Sequence, residues 1–154
     1  MELLHGDICS IILKAFYGVY TILPSGLEKD FYKNALAVEM QYLGLTVETN
    51  KNIPVLYKEK SIGQLTIDMV VNNLVLVQTD NQKGFIEAEQ VERNKNYLKL
   101  SDFEVLMLLN FGVELDHKRL FITNDFKKRS YTDNNGQLRL NTVLQSPTIN
   151  SNFN

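Results

Sequence analysis

Between Leu65 and Val77 the chain carries the pattern that most restricts its fold. Leu65, Ile67 and Met69 alternate with Thr66, Asp68 and Val70, Asn72-Asn73 follows, and Leu74 to Val77 is an unbroken apolar run. Alternation marks a strand with two unlike faces, the Asn pair marks a turn, and a short apolar run marks a central strand covered on both faces. The spacing therefore predicts a hairpin around Asn72-Asn73, with 71 paired to 74. Asp68 then lies close to Val77, adjacent to Gln78. A strand covered on both faces needs layers above and below it.

The rest of the sequence supplies those layers. Ile8, Ile11, Ile12, Ala15, Val19 and Leu23 recur at helical spacing, which predicts a helix over 7–23 with Asp7 as its N-cap. A second helix is expected over 27–43, with Leu27, Phe31, Ala35, Val38 and Tyr42 as its apolar stripe, Tyr32, Leu36 and Leu43 beside it, and Gly44 as C-cap. Leu45 to Glu48 and Val55 to Tyr57 read as short β pieces, with Pro54 at a strand start or edge. Residues 85–100 read as a weakly patterned helix, 104–109 as a buried strand and 119–123 as a last strand. The order α-α-β-β-β-β-α-β-β is that of an α+β domain, or of a mixed sheet flanked by helices.

Composition narrows the function classes. The chain has 154 residues, 44% hydrophobic and 22% charged, enough for one domain with a sizeable core. Sixteen Lys plus Arg against eighteen Asp plus Glu give a formal charge of -2, so no overall basic signature of a nucleic-acid binder is present. Cys9 is the single cysteine, and with His5 and His117 it cannot build a zinc site. The start of the chain lacks a signal-peptide pattern and no apolar run reaches membrane-span length, so the expected location is the cytoplasm. From about Lys127 the composition turns to Asn, Ser, Thr, Gln and Gly. This divides the chain into a domain over 1–125 and a polar, loosely docked tail over 126–154.

Three polar residues stand out on the predicted hairpin. Gln78 and Asp80 are two apart on one face, and Asp68 reaches the same end. Neighbouring carboxylates resist joint ionisation unless a cation bridges them, which is the layout of a Mg²⁺ site. The plainer reading has Asp68 facing solvent and Asp80 capping a turn. Lys127-Lys128-Arg129 is a short basic run, either touching phosphates or a partner or simply solvated. Arg93, Lys95 and Lys99 line either a groove or a solvated helix face, and Tyr17, Tyr20, Tyr32 and Tyr42 read as core and core-edge packing.

An ordered series of segments then resembles a known family. Pro24-Ser25-Gly26-Leu27-Glu28-Lys29-Asp30-Phe31-Tyr32, Leu43-Gly44-Leu45, Val55-Leu56-Tyr57-Lys58, Ile67-Asp68-Met69-Val70-Val71, Leu74-Val75-Leu76-Val77, Tyr97-Leu98-Lys99-Leu100 and Leu108-Leu109-Asn110-Phe111-Gly112 are similar to the GxxExxR proteins, over roughly 8–123. That family belongs to the PD-(D/E)XK, restriction-endonuclease-like superfamily. The resemblance implies an α/β fold: an αβββαβ core with a mixed central sheet flanked by helices, preceded by an extra N-terminal helix. Ancestrally it implies a Mg²⁺-dependent phosphodiesterase.

The site positions carry over unevenly. The family's aspartate falls on Asp68 and its ExK pair on Gln78 and Asp80, so the lysine that activates water is missing from the strand. The helix glutamate falls on Lys29, and Glu28, one place earlier, would face elsewhere by about 100° unless the helix register slips. The family's first-helix histidine falls on Tyr20, and its third-helix glutamine and tyrosine on Arg93 and Tyr97. The exchanged signs suggest a Lys29–Asp80 ion pair inside the cleft. Asp68, Asp80, Lys29 and neutral Gln78 then carry -1, which weakens the claim on Mg²⁺. The expected function is a catalytically retired nuclease-like module that binds DNA, RNA or a protein partner. The alternative is a Mg²⁺-dependent nuclease with Asp68 and Asp80 as ligands and Lys29 in the lysine role.

Overall fold

In the computed structural model, residues 3–127 and 129–141 are described. Two helices, α1 (Gly6–Ile22) and α2 (Lys29–Tyr42), precede three strands, β1 (Val47–Tyr57), β2 (Lys60–Val71) and β3 (Val75–Asp80). A third helix, α3 (Ala88–Lys99), leads to β4 (Val105–Asn110) and β5 (Asp116–Phe121). From α2 to β4 the order is αβββαβ, with α1 as the extra N-terminal helix. The sheet runs β1-β2-β3-β4-β5, antiparallel throughout except for the parallel β3–β4 pair that α3 connects.

Strand alternation assigns each face of the sheet to a helix layer. Met69, Val71, Val75, Val77, Val105, Met107 and Leu109 pack with α1 and α2. Val70, Leu76, Leu106 and Leu108 pack on the other face with Leu98 of α3 and with Phe103. Val75–Val77 of β3 and Val105–Leu109 of β4 are covered on both faces, which is why those runs are continuously apolar.

Several sequence expectations change in detail. Asp7 is not the N-cap of α1: the helix starts at Gly6 after His5, and Asp7 lies in the first turn, where its charge suits the helix dipole. On α2 the two stripes exchange roles. Tyr32, Leu36 and Met40 are buried, whereas Phe31, Val38 and Tyr42 are exposed. Both sets satisfy a helical period, offset by one residue. The Tyr32 set faces the core, where its hydroxyl donates to Pro24 O at 2.6 Å and accepts from Leu27 N at 3.0 Å, and its ring stacks on Phe111. Gly44 ends α2 as expected, at φ 91°, with its N–H on Gln41 O and the Leu45 N–H on Met40 O.

The two β pieces around Pro54 are one strand. β1 is an edge strand, so the missing N–H of Pro54 costs no central ladder bond. The β2–β3 register also differs by one from the expected pairing. The connection is a three-residue loop, with Val71 opposite Val75 and Met69 opposite Val77, so Asp68 falls at the level of Gln78. Asn72 and Asn73 both take positive φ, 51° and 55°, as Asn tolerates.

Part of the stretch expected to be a tail takes up structure. Residues Ser130–Thr132 (β6) and Leu138–Leu140 (β7) form a hairpin. Few apolar contacts hold it, which is why composition did not reveal it. Asn141 links it to the β1–β2 turn through Leu56 O and Glu59 N. Two residues of the basic run are used internally: Lys127 Nζ donates to Ser101 O and Phe103 O, and Arg129 pairs with Asp102. Residues 142–154 of the expected tail lie outside the described residues.

Lys127 makes a pH prediction. Desolvation lowers its pKa from 10.5 to about 8, against a smaller opposing pull from Glu104. Between those two values the unfolded chain holds a proton that the fold has released. Stability should therefore rise with pH from about 8 to 10.5 on this account, and the slope should flatten in Lys127→Met. Urea midpoints of both proteins at neutral pH and near pH 10 check this; parallel profiles would refute it.

Candidate functional site

The site forms where β2 and β3 part. Backbone pairing is last registered at Met69–Val77, and beyond it side chains bridge the strands. Gln78 Oε1 accepts from the Asp68 N–H at 2.8 Å. Asp68 Oδ2 accepts from the Thr79 N–H at 2.8 Å and from the Thr79 hydroxyl at 2.9 Å. A sheet that opens this way turns ladder positions into side-chain positions, and a polar residue in an apolar strand is the sign of it. Asp68 therefore does not face solvent.

Lys29, the first residue of α2, reaches the same oxygen. Its Nζ is 3.1 Å from Asp68 Oδ2, and the Asp68 side chain is only 13% exposed. Glu28 is the exposed N-cap residue one position earlier, so the helix register presents Lys29 to the cleft. The expected Lys29–Asp80 ion pair is not the one formed: Lys29 pairs with Asp68. The reason is geometric, because Asp80 lies two residues further along β3 and is held from the opposite side by α3.

Asp80 has neutral donors. Its Oδ1 accepts from the Asn81 N–H at 2.8 Å and its Oδ2 from Gln90 Nε2 at 2.9 Å. Gln90 is also half of a capping box: its Oε1 accepts from the Glu87 N–H while the Glu87 carboxylate accepts from the Gln90 N–H. The helix start thus fixes the amide that holds Asp80.

These groups surround a cleft of about 140 Å³. Lys29 lines it from α2, and Gln78, Thr79 and Asp80 line it from β3. Gln90, Arg93, Asn94 and Tyr97 line it from α3, at a spacing that puts them on one helix face. So Lys29, Gln78, Asp80, Arg93 and Tyr97 line one cleft, with Asp68 just behind Lys29 and Thr79. Tyr20 is on α1 and does not line the cleft. Thr79, Gln90 and Asn94 were not anticipated. Glu87-x-x-Gln90 was a readable capping signal, and counting four and seven residues on from Gln90 reaches Asn94 and Tyr97. Asn94 is buried, donates to Gln90 O, and leaves its Oδ1 without a partner.

The donor set does not fit a divalent cation as arranged. Asp68 Oδ2 already receives three donors, one of them an ammonium. Both oxygens of Asp80 receive a donor as well. Among the described residues no group of three His, Cys, Asp or Glu side chains is placed to hold a metal ion. Mg²⁺ prefers hard anionic oxygens, and here a cation of the chain's own takes that position.

No helix of the described residues is long and apolar enough to cross a membrane. The comparison with curated proteins gives no match, and neither does the comparison with solved structures. A family model described as the PD-(D/E)XK nuclease superfamily matches residues 6–120, from the start of α1 to the end of β5. The αβββαβ order, the opened β2–β3 edge and that match agree: the chain belongs to the PD-(D/E)XK nuclease superfamily.

Proposed function

We propose that this chain is a catalytically retired, GxxExxR-type nuclease-like protein that binds nucleic acid through its former active-site cleft. The observation that carries the reading is the Lys29 ammonium seated 3.1 Å from Asp68 Oδ2. It neutralises the carboxylate that a metal would need. With Lys29 spent on Asp68, Arg93 faces Asp80 across the cleft lining, so the site carries no net negative charge against a phosphate and Arg93 is the cation that would contact one. Tyr97 supplies an aromatic group on the same helix face as Arg93's cleft neighbours Gln90 and Asn94.

A second reading keeps catalysis. Lys29 lies in the cleft beside Asp68 and Asp80, so a lysine is present although the strand lacks one. On that reading the site is a rearranged DNA or RNA phosphodiesterase. One experiment separates the two. Single-stranded DNA, duplex DNA and RNA are incubated with the parent and with Asp68→Ala, in Mg²⁺ and in Mn²⁺, and binding is measured in parallel. The expected result is salt-sensitive binding by the parent, weakened by Arg93→Ala, with no Asp68-dependent cleavage. Cleavage by the parent and none by Asp68→Ala would replace the proposal with the enzyme reading. Absence of salt-sensitive binding would leave a protein partner as the ligand.

A further inference from the structure

A second cleft, of about 390 Å³, lies between the β1–β2 turn and the β6–β7 hairpin. Its walls include two phenol rings, Tyr57 and Tyr131, and two ammonium groups, Lys58 and Lys60. The Lys58 Nζ sits 5.7 Å from the centroid of Tyr57 and 5.8 Å from that of Tyr131, within cation–π range of both. Its one lining acid, Asp133, is already engaged: it pairs with Arg139 at 3.0 Å and accepts from the Asn135 and Gln137 N–H groups. Glu59, between the two lysines in the turn, pairs with Arg139 at 3.9 Å, so a ligand meets two aromatic groups and, with Lys58, Lys60 and Arg139 set against Glu59 and Asp133, a single excess positive charge.

The turn that presents Lys58 is an unusual one. Lys58 and Glu59 both take positive φ, 48° and 69°, in the two-residue connection between Tyr57 and Lys60. Asn-Gly would adopt that turn without strain. Lys58 stands in a conformation its backbone disfavours, with its ammonium between the two rings.

We infer that this cleft is a stacking site for single-stranded nucleic acid, with bases on Tyr57 and Tyr131 and phosphates on Lys58 and Lys60. The ligand chemistry follows from the walls. A planar π-system answers the rings, and an adjacent anion answers the lysines. A duplex hides the faces of its bases in its own stack, so only an unpaired strand offers both. The inference rests on the nucleic-acid reading of the chain, and adds a contact that lies outside the former active-site cleft.

The test is fluorescence anisotropy of the full chain with a short labelled oligothymidylate and with a labelled duplex of equal length. Tyr57→Ala and Tyr131→Ala should each weaken single-strand binding by about fivefold or more and leave duplex binding little changed. Tyr57→Phe and Tyr131→Phe, which keep the ring, should bind as the parent does. Lys58→Asn, which suits a positive φ, should reduce the salt dependence. Single-strand affinities of both alanine variants within about twofold of the parent would overturn the inference and leave the cleft reading standing. Loss in the tyrosine variants with none in Arg93→Ala would support it and overturn the cleft as the binding surface. No binding of either probe by the parent would overturn both.

Discussion

Gly112→Ala is expected to cost the fold about 3 kcal/mol and to disturb the cleft from outside it. A Cβ at this position would stand 1.8 Å from Gln82 O, 2.9 Å from Gln82 C and 3.2 Å from Asn110 Nδ2. The obstacle is backbone, so no rotamer change relieves it. Gln82 O also accepts from Asn110 Nδ2, and that amide donates to Gly84 O and Glu114 O as well. Asn110 lies opposite Asp80 in the β3–β4 register. Pushing residue 82 away therefore loosens the loop that begins at Asp80 and ends at the capping box of α3. Urea denaturation checks the energy, and nucleic-acid binding by the folded fraction checks the second effect. A loss below about 1 kcal/mol would show that the close approach is not required.

Lys29→Glu is expected to destabilise the protein by about 2 kcal/mol and to make its stability respond to Mg²⁺. The substitution removes the ammonium from Asp68 and adds a third carboxylate beside Asp68 and Asp80. The lysine side chain is 44% exposed, so the loss falls between that of a surface pair and that of a buried one. Three carboxylates repel until a divalent cation joins them, and a ligand that binds only the folded state raises the melting temperature with its concentration. The parent should show no such response, and neither should Lys29→Met, which removes the charge without adding a ligand. Thermal melts of the three proteins with and without MgCl₂ decide it. A parent already stabilised by Mg²⁺ would mean that Asp68 and Asp80 hold the cation in spite of Lys29, and the enzyme reading would gain.

Much of the layer architecture was legible because its signals are local. The apolar runs in β3 and β4 report burial directly, whereas the alternation at Leu65–Met69 reports burial but not the face: Leu65 and Ile67 pack on the α3 side and Met69 on the α1–α2 side, the change falling at Asp68. Asp68, Gln78 and Asp80 were visible as polar residues where strands should be apolar. The choice between Tyr32 and Phe31 on α2 was not legible, since adjacent stripes have the same period and only Phe111, nearly eighty residues away, distinguishes them. The partner of Lys29 was hidden for a similar reason. Charge complementarity permits either Asp68 or Asp80, and the distance that decides it depends on where β2 leaves β3. The β6–β7 hairpin escaped notice because polar anchors hold it, Arg129 on Asp102 and Asn141 on Leu56 O, and polar composition reads as solvent exposure.

Gln90 gives the protein a shared pivot. One end of its amide closes the first turn of α3 and the other end restrains the carboxylate of Asp80. Gln90→Glu would separate the two tasks, since a carboxylate still accepts from the Glu87 N–H but has no proton to give Asp80. Glu87 lies outside the cleft lining, yet it helps set where Asp80 points, because it fixes the residue that does the restraining. The charge pattern facing a ligand can therefore drift through substitutions in the preceding loop, with each cleft residue unaltered in identity. A comparison of related chains confined to the lining positions would miss that route.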